Sequence, residues 1–170
     1  RRSDLPVNCP GHIQIFDENF GSLFISISME DDQRAPAGMA TLIASVFVDI
    51  DQWSNLDSQS YARKKNISAK KIRTILNKKF DLLETSWDHQ ELSTPRSFER
   101  WTGRPGGIVG GLGQHPDQFG PFGLSSRTPL RGLWLCGDSI YPGEGTAGVS
   151  QSAMMVVRQI MESKGRHLNI

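Results

Sequence analysis

Leu133-Trp134-Leu135-Cys136-Gly137-Asp138, followed by Pro142-Gly143-Glu144-Gly145-Thr146-Ala147-Gly148-Val149, is the stretch on which the reading of this 170-residue chain turns. Four apolar residues stop at Gly-Asp, which is the pattern of a short buried strand ending in a turn. A loop from Ser139 to Gly145 then leads into a helix expected from about Ala147 to Ser163. Val149, Ala153, Val156, Val157 and Ile160 recur at helical spacing along it, and Met154, Met155 and Met161 widen the stripe. A helix apolar around so much of its girth belongs inside a larger body of protein. Strand, loop and helix together indicate an α/β segment.

Gly143, Gly145 and Gly148 match G-x-G-x-x-G between a strand and a helix, the setting of a dinucleotide fingerprint. As the first turn of a Rossmann unit the match fails. Six residues separate strand from glycines, Glu162 lies in the helix instead of closing a second strand, and no second strand follows before Ile170. The local chemistry still suits a cofactor. Glycines permit close backbone approach, and the free N–H groups of a first helical turn carry partial positive charge. Asp138, at the carboxyl end of a strand, can accept hydrogen bonds from sugar-type hydroxyls. The plainer alternative is that Asp138 caps a turn and the glycines serve packing.

Working outward, the glycines divide the chain. Thirteen of 17 lie between Gly103 and Gly148, so we expect a conventional part over 1–100 and a Gly-rich part with a closing helix over 101–170. In the first part, Leu23, Ile25, Ile27 and Met29 alternate with Phe24, Ser26 and Ser28, the period of a half-buried strand. Thr41 to Val48 is rich in β-branched residues, and His12 to Phe16 forms a weaker strand. A small antiparallel sheet follows from these. Ile72, Ile75, Leu76, Phe80 and Leu83 predict a helix from Ser68, as N-cap, to Thr85. Eight basic and no acidic residues lie between Arg63 and Lys79. A solvated helix face is the usual meaning of such a run; contact with an anionic membrane surface is the sharper one.

Composition excludes other classes. Lys plus Arg (19) nearly balances Asp plus Glu (18), so overall charge does not steer the chain to nucleic acid. Two cysteines make no disulfide framework, and Cys136, in an apolar strand, reads as a buried small hydrophobe. His12, His89, His115 and His167 lack metal-ligand spacing. No G-x-S-x-G elbow is present, because Gly148-Val149-Ser150-Gln151-Ser152 ends in Ser. No apolar run approaches the roughly 20 residues of a membrane-spanning helix. The opening Arg1-Arg2-Ser3 has neither Met nor a signal-peptide core, as expected of a piece of a longer chain.

Three segments carry a family signature. Thr94-Pro95-Arg96-Ser97-Phe98-Glu99-Arg100-Trp101-Thr102-Gly103-Arg104, with Gly106-Gly107, resembles the T-P-R-T-F-x-R-[FY]-T-G-R…G segment of carotenoid isomerases and desaturases. Arg127-Thr128-Pro129-Leu130-Arg131-Gly132 through Asp138-Ser139 resembles their R-T-P…L-[WY]-L-[VC]-G-D-S, and Pro142 to Val149 their P-G-[EQ]-G-[TV]-x-[AG]-V. The Asp31 to Gly38 turn fits as well. Within the family, the last segment most resembles a cyanobacterial-type branch of prolycopene isomerases and carotenoid 3′,4′-desaturases.

The resemblance implies the C-terminal portion of a FAD-dependent flavoprotein of the amine-oxidase-like, Rossmann-type superfamily. The antiparallel strands of an α+β substrate domain would be followed by the last strand and helix of the FAD domain, within an α/β fold overall. It implies that Gly137 and Asp138 meet the ribityl chain of FAD, and that Gly145, Thr146, Gly148 and Val149 meet the pyrimidine side of its ring. It also implies a polyene substrate, a membrane-associated setting on the cytoplasmic side of a bacterial or thylakoid membrane or in a plastid, and an N-terminal ADP-gripping half outside these residues. It points to no acid or base residue. Two further readings stand beside it: a non-catalytic interaction module unable to bind FAD alone, and a flavin amine oxidase, which the Thr94 to Gly103 segment disfavours.

Overall fold

The computed structural model describes residues 1–113, 115–119 and 122–165. They form two compact units, Arg1–Gly107 and Ile108–Ile170. The first is built on β1 (His12–Asp17), β2 (Gly21–Ile27) and β3 (Leu42–Val46). These pair antiparallel in the order β1-β2-β3, with Ile13 opposite Ile25 and Ile25 opposite Ala44. The alternation in β2 resolves into faces as expected. Leu23, Ile25 and Ile27 are buried, and α2 (Ser58–Phe80) fills that side with Ile72, Leu76 and Phe80. Each such side chain contributes about 1.5–3 kcal/mol by leaving water. The opposite face of the sheet is open: Phe16, Phe24 and Ile43 are exposed, and so is Phe47 just beyond β3.

Helix α2 begins ten residues before the expected Ser68. Asp57 is its N-cap, accepting hydrogen bonds from the Gln59 and Ser60 N–H groups at 2.9 Å each. The first three turns are polar, so hydrophobic periodicity could not reveal them, yet they hold no Gly or Pro to stop a helix. The helix ends at Phe80, before Thr85, because Asp81 takes a left-handed conformation (φ 54°). Trp87 then donates its indole N–H to Asn77 Oδ1 at 2.7 Å, folding the following segment back on the last turn.

The short α1 (Asp51–Ser54) buries Trp53, and α3 (Pro95–Thr102) carries the Thr94–Gly103 motif. Thr94 is 3% exposed and shares a hydrogen bond with the Tyr61 hydroxyl at 2.8 Å; its N–H donates to Ser97 Oγ at 3.1 Å. Pro95 fills the first helical position, where a missing N–H costs nothing. Arg96 lies over the Tyr61 ring and donates to the Ser54 carbonyl at 3.0 Å and to the Leu56 carbonyl. A Cβ at Gly107 would sit 1.9 Å from the Pro95 carbonyl oxygen, so glycine is obligatory there. The motif that carries much of the family signature thus acts here as an architectural clamp on α1, α2 and α3.

Two expectations are corrected in the second unit. Leu133 to Cys136 is not a strand among the described residues. Trp134 makes one isolated bridge to Arg127, and Leu133, Leu135 and Cys136 are exposed. A strand of a parallel sheet needs neighbours brought from far along a chain, and none pairs with it here. Cys136 is therefore not a buried hydrophobe. The helix is present, as α4 (Gly145–Ser163), but its buried side is narrower than the sequence suggested. Ser152 and Val156 are buried and Val149 and Ile160 half-buried, whereas Ala153, Met154 and Val157 are exposed. His167 lies outside the described residues.

Candidate functional site

The loop from Gly137 to Glu144 folds back on the first two turns of α4. Three contacts hold it. The Gly137 N–H donates to Ser152 Oγ at 3.1 Å, and Ser152 is fully buried. The Gly143 N–H donates to the Ile140 carbonyl at 2.9 Å, and Ile140 is buried, with a parallel bridge to Leu124. Gly148 packs directly on Gly143: a Cβ would approach the Gly143 carbonyl oxygen to 2.4 Å. The G-x-G-x-x-G match therefore has a physical cause, since its last glycine lets the helix rest on the backbone at its first. The Tyr141–Pro142 peptide bond is cis.

These contacts bring the six residues singled out from the sequence to one place. Gly137 and Asp138 occupy one side of the turn, and Gly145, Thr146, Gly148 and Val149 form the beginning of the helix. Asp138 is half-buried, with its carboxylate accepting from the Ser139 hydroxyl at 3.4 Å. Glu144 is the N-cap of α4, but its side chain makes no capping hydrogen bond, and the first turn holds no acidic residue. Among the described residues, no side chain accepts a hydrogen bond from the N–H groups of that turn. Positions 137 and 145 face open space: a Cβ at either would meet nothing within 4 Å.

Two contributors escaped the sequence reading. Ser152 had no pattern to mark it, because a buried hydroxyl accepting from an amide fifteen residues away leaves no local trace. Gly111 was one glycine among many. A Cβ there would lie 2.3 Å from the Asp138 carbonyl oxygen, so the Gly111 backbone passes against the Gly-Asp turn. Its only advance signal is membership of the glycine cluster. Beside the turn, Leu112, Phe119, Asp138 and Tyr141 help to line a cavity of about 20 Å³, room for one water molecule. His115 stands apart: it is exposed, and its Nδ1 accepts from the Asp117 N–H at 3.3 Å. Among the described residues, no cluster of His, Cys, Asp or Glu could hold a metal ion.

A helix start whose N–H groups have no capping side chain, preceded by a loop that carries a half-buried aspartate, has the chemistry to meet a polar, electron-rich group. Comparison with known proteins narrows the class. The chain is 30% identical, over 91% of its length, to the prolycopene isomerase of Arabidopsis thaliana. It is 31% identical over 86% of its length to that of Daucus carota, and 30% identical over 95% to prolycopene isomerase 2 of an Oncidium hybrid cultivar. All three are described as chloroplastic. The chain spans 24–29% of the length of these curated relatives. No family model and no solved structure matches it. The chain is a homologue of the prolycopene isomerases over most of its length, in agreement with the resemblance seen in residues 94–149.

Proposed function

We infer that these residues are part of a FAD-dependent enzyme that isomerises a carotenoid polyene in carotenoid biosynthesis. The observation that carries the reading is the match to prolycopene isomerases over 86–95% of the chain. It includes the turn in which Asp138 and the start of α4 are locked together. The relatives' names favour cis–trans isomerisation over 3′,4′-desaturation, and over oxidation of a soluble amine.

The residues of the turn fit one end of a flavin. Asp138 offers acceptor oxygens for ribityl hydroxyls. The unsatisfied N–H groups at Gly145 and Thr146 offer donors to an electron-rich ring edge, and the open space before Gly137 and Gly145 leaves room for it. When bound, a flavin would supply reversible electron storage. Gly148 lets the helix start rest on the Gly143 backbone, Val149 follows it in the same turn, and Ser152 holds the Gly137 amide next to Asp138. The ADP half of a dinucleotide needs a strand–turn–helix fingerprint that these 170 residues do not contain. The isolated chain is therefore expected to lose FAD on dialysis; a yellow, stoichiometric complex that survives would overturn this division of the site.

Open apolar surface on the sheet of the first unit supports a polyene substrate. Phe16, Phe24 and Ile43 share the solvent face of β1, β2 and β3, and His12 stacks on Phe24 with ring centroids 5.7 Å apart. Flat aromatic and aliphatic side chains suit a long conjugated chain. A water-insoluble substrate implies peripheral association with a membrane, and the chloroplastic relatives point to a plastid; among the described residues no helix is long and apolar enough to cross a membrane. The test is replacement of the homologous segment of the Arabidopsis isomerase by this chain, in a host that accumulates poly-cis lycopene. All-trans product is expected. A folded, flavin-loaded chimera that leaves the cis isomers untouched, or that introduces new double bonds, contradicts the reading.

A further inference from the structure

Six of the eight cations of α2 fall into two sets, with Lys65 and Lys79 in neither. Lys64 and Arg73 are engaged in the fold. Lys64 Nζ lies 2.7 Å from the Gln52 carbonyl oxygen and 4.8 Å from the centre of the Trp53 ring, and Arg73 pairs with Glu84 at 2.8 Å. Arg63, Lys70, Lys71 and Lys78 are exposed and have no ion-pair partner among the described residues. With Ile67 and Thr74 these four occupy spacings of four, three, one, three and four, which at 3.6 residues per turn is a single face. That face lies opposite the buried Ile72, Leu76 and Phe80. It runs about 22 Å along the helix at 1.5 Å per residue. Eight of the chain's 19 basic residues and none of its 18 acidic ones lie in this helix, so a nearly neutral chain conceals a strongly segregated charge. Ile67, 46% exposed, stands in the middle of the stripe.

We propose that this face of α2 is the surface by which the protein docks on an anionic lipid membrane. Unpaired, exposed cations gain most from a surface of negative headgroups, about fivefold in partitioning for each Lys or Arg. One apolar side chain among them can enter the headgroup layer while the polar face stays at the interface. A nucleic-acid strand is the poorer match, because the stripe offers no aromatic side chain on which bases would stack. The proposal rests on the preceding reading only in choosing a membrane as the anionic partner, and vesicle binding is measured without substrate or flavin. It can fail while the isomerase reading stands, and the reverse also holds.

Flotation of the 170-residue chain with vesicles of phosphatidylcholine alone, or containing about a third phosphatidylglycerol, tests it. Binding is expected only to the anionic vesicles. Replacing Arg63, Lys70, Lys71 and Lys78 together by Gln is expected to lower partitioning at least tenfold. Replacing Arg100, Arg127, Arg131 and Lys164 by Gln, an equal change in net charge away from α2, should leave it within about twofold. Circular dichroism checks that α2 persists. If the helix variant loses structure, salt decides on the native chain: at about 1 M salt the screening length falls to about 3 Å, and binding should vanish. Equal binding to neutral vesicles, retention by the α2 variant, an equal loss in the control variant, or binding that survives high salt would each overturn the proposal.

Discussion

The two units of this chain hold their shape by different means. In Arg1–Gly107, a three-stranded sheet and a 23-residue helix surround Leu23 and Ile25, both fully buried. In Ile108–Ile170, Ile140 and Val156 are the buried large apolar side chains among the described residues, while Leu124, Leu130, Leu133, Leu135 and Val157 are exposed. Order there comes from backbone against backbone, Gly148 on Gly143 and Gly111 on Asp138, with the Ser152 hydroxyl holding the Gly137 amide. The contrast follows from what each unit presents. A surface of side chains can be built over an apolar core. A turn held by main-chain approach needs glycines to let segments meet, and those glycines contribute no apolar area to a core.

The contrast can be broken at both ends. The largest effect is expected from Ile25→Ala, which should destabilise the first unit by about 2–5 kcal/mol in urea titration monitored by far-UV circular dichroism. The corresponding truncation at the exposed Leu135 should cost less than about 0.5 kcal/mol. Next come the glycines. Gly148→Ala forces a methyl group onto the Gly143 carbonyl and should cost about 1–3 kcal/mol, whereas Gly113→Ala, which meets nothing within 4 Å, should be neutral. Equal effects at the two glycines would show that the second unit is not held by backbone approach.

Ser152→Ala leaves the Gly137 amide without its acceptor, at a cost of about 1–3 kcal/mol, and should speed hydrogen exchange at Gly137 more than at other amides of the unit. The smallest effect concerns Asp57. Hydrogen bonds from Ser60 hold its carboxyl below the usual aspartate value of 3.8, so the deprotonated form is favoured by folding. Its contribution is complete above that value and disappears as pH falls through the lowered one. The acid limb of α2 helicity should flatten in Asp57→Asn, as read at 222 nm.

What the sequence disclosed follows the same contrast. Alternation in Leu23, Ile25 and Ile27 placed β2 and its buried face because a side-chain core writes its period into the residues. In the turn, the spacing of Gly143, Gly145 and Gly148 and the lone Asp138 drew notice from the residues alone, whereas Thr146 and Val149 entered only through the family resemblance. Other features left no comparable pattern. The first three turns of α2 are polar, so only the Asp57 cap marks where the helix begins. Leu133 to Cys136 has the composition of a strand, but strands are made by partners, and no neighbouring strand pairs with it among the described residues. Ser152 and Gly111 act through contacts distant in sequence, which no window of residues reveals. The Thr94–Gly107 motif was recognisable as a signature, whereas its work of tying Tyr61, Ser54 and Leu56 to α3 emerged only in three dimensions.

We propose that the turn from Gly137 to Val149 holds the flavin of a carotenoid isomerase, and one experiment bears on this most directly. The most direct measurement is flavin content and carotenoid isomer composition when the full-length protein bearing these residues is expressed in a host rich in poly-cis lycopene, with Asp138→Ala alongside. Bound FAD and all-trans lycopene are expected for the native protein. For Asp138→Ala, flavin occupancy lowered at least tenfold is expected, with the fold intact. Full flavin occupancy in the variant, or a native protein that carries no flavin and leaves the cis isomers unchanged, would contradict it.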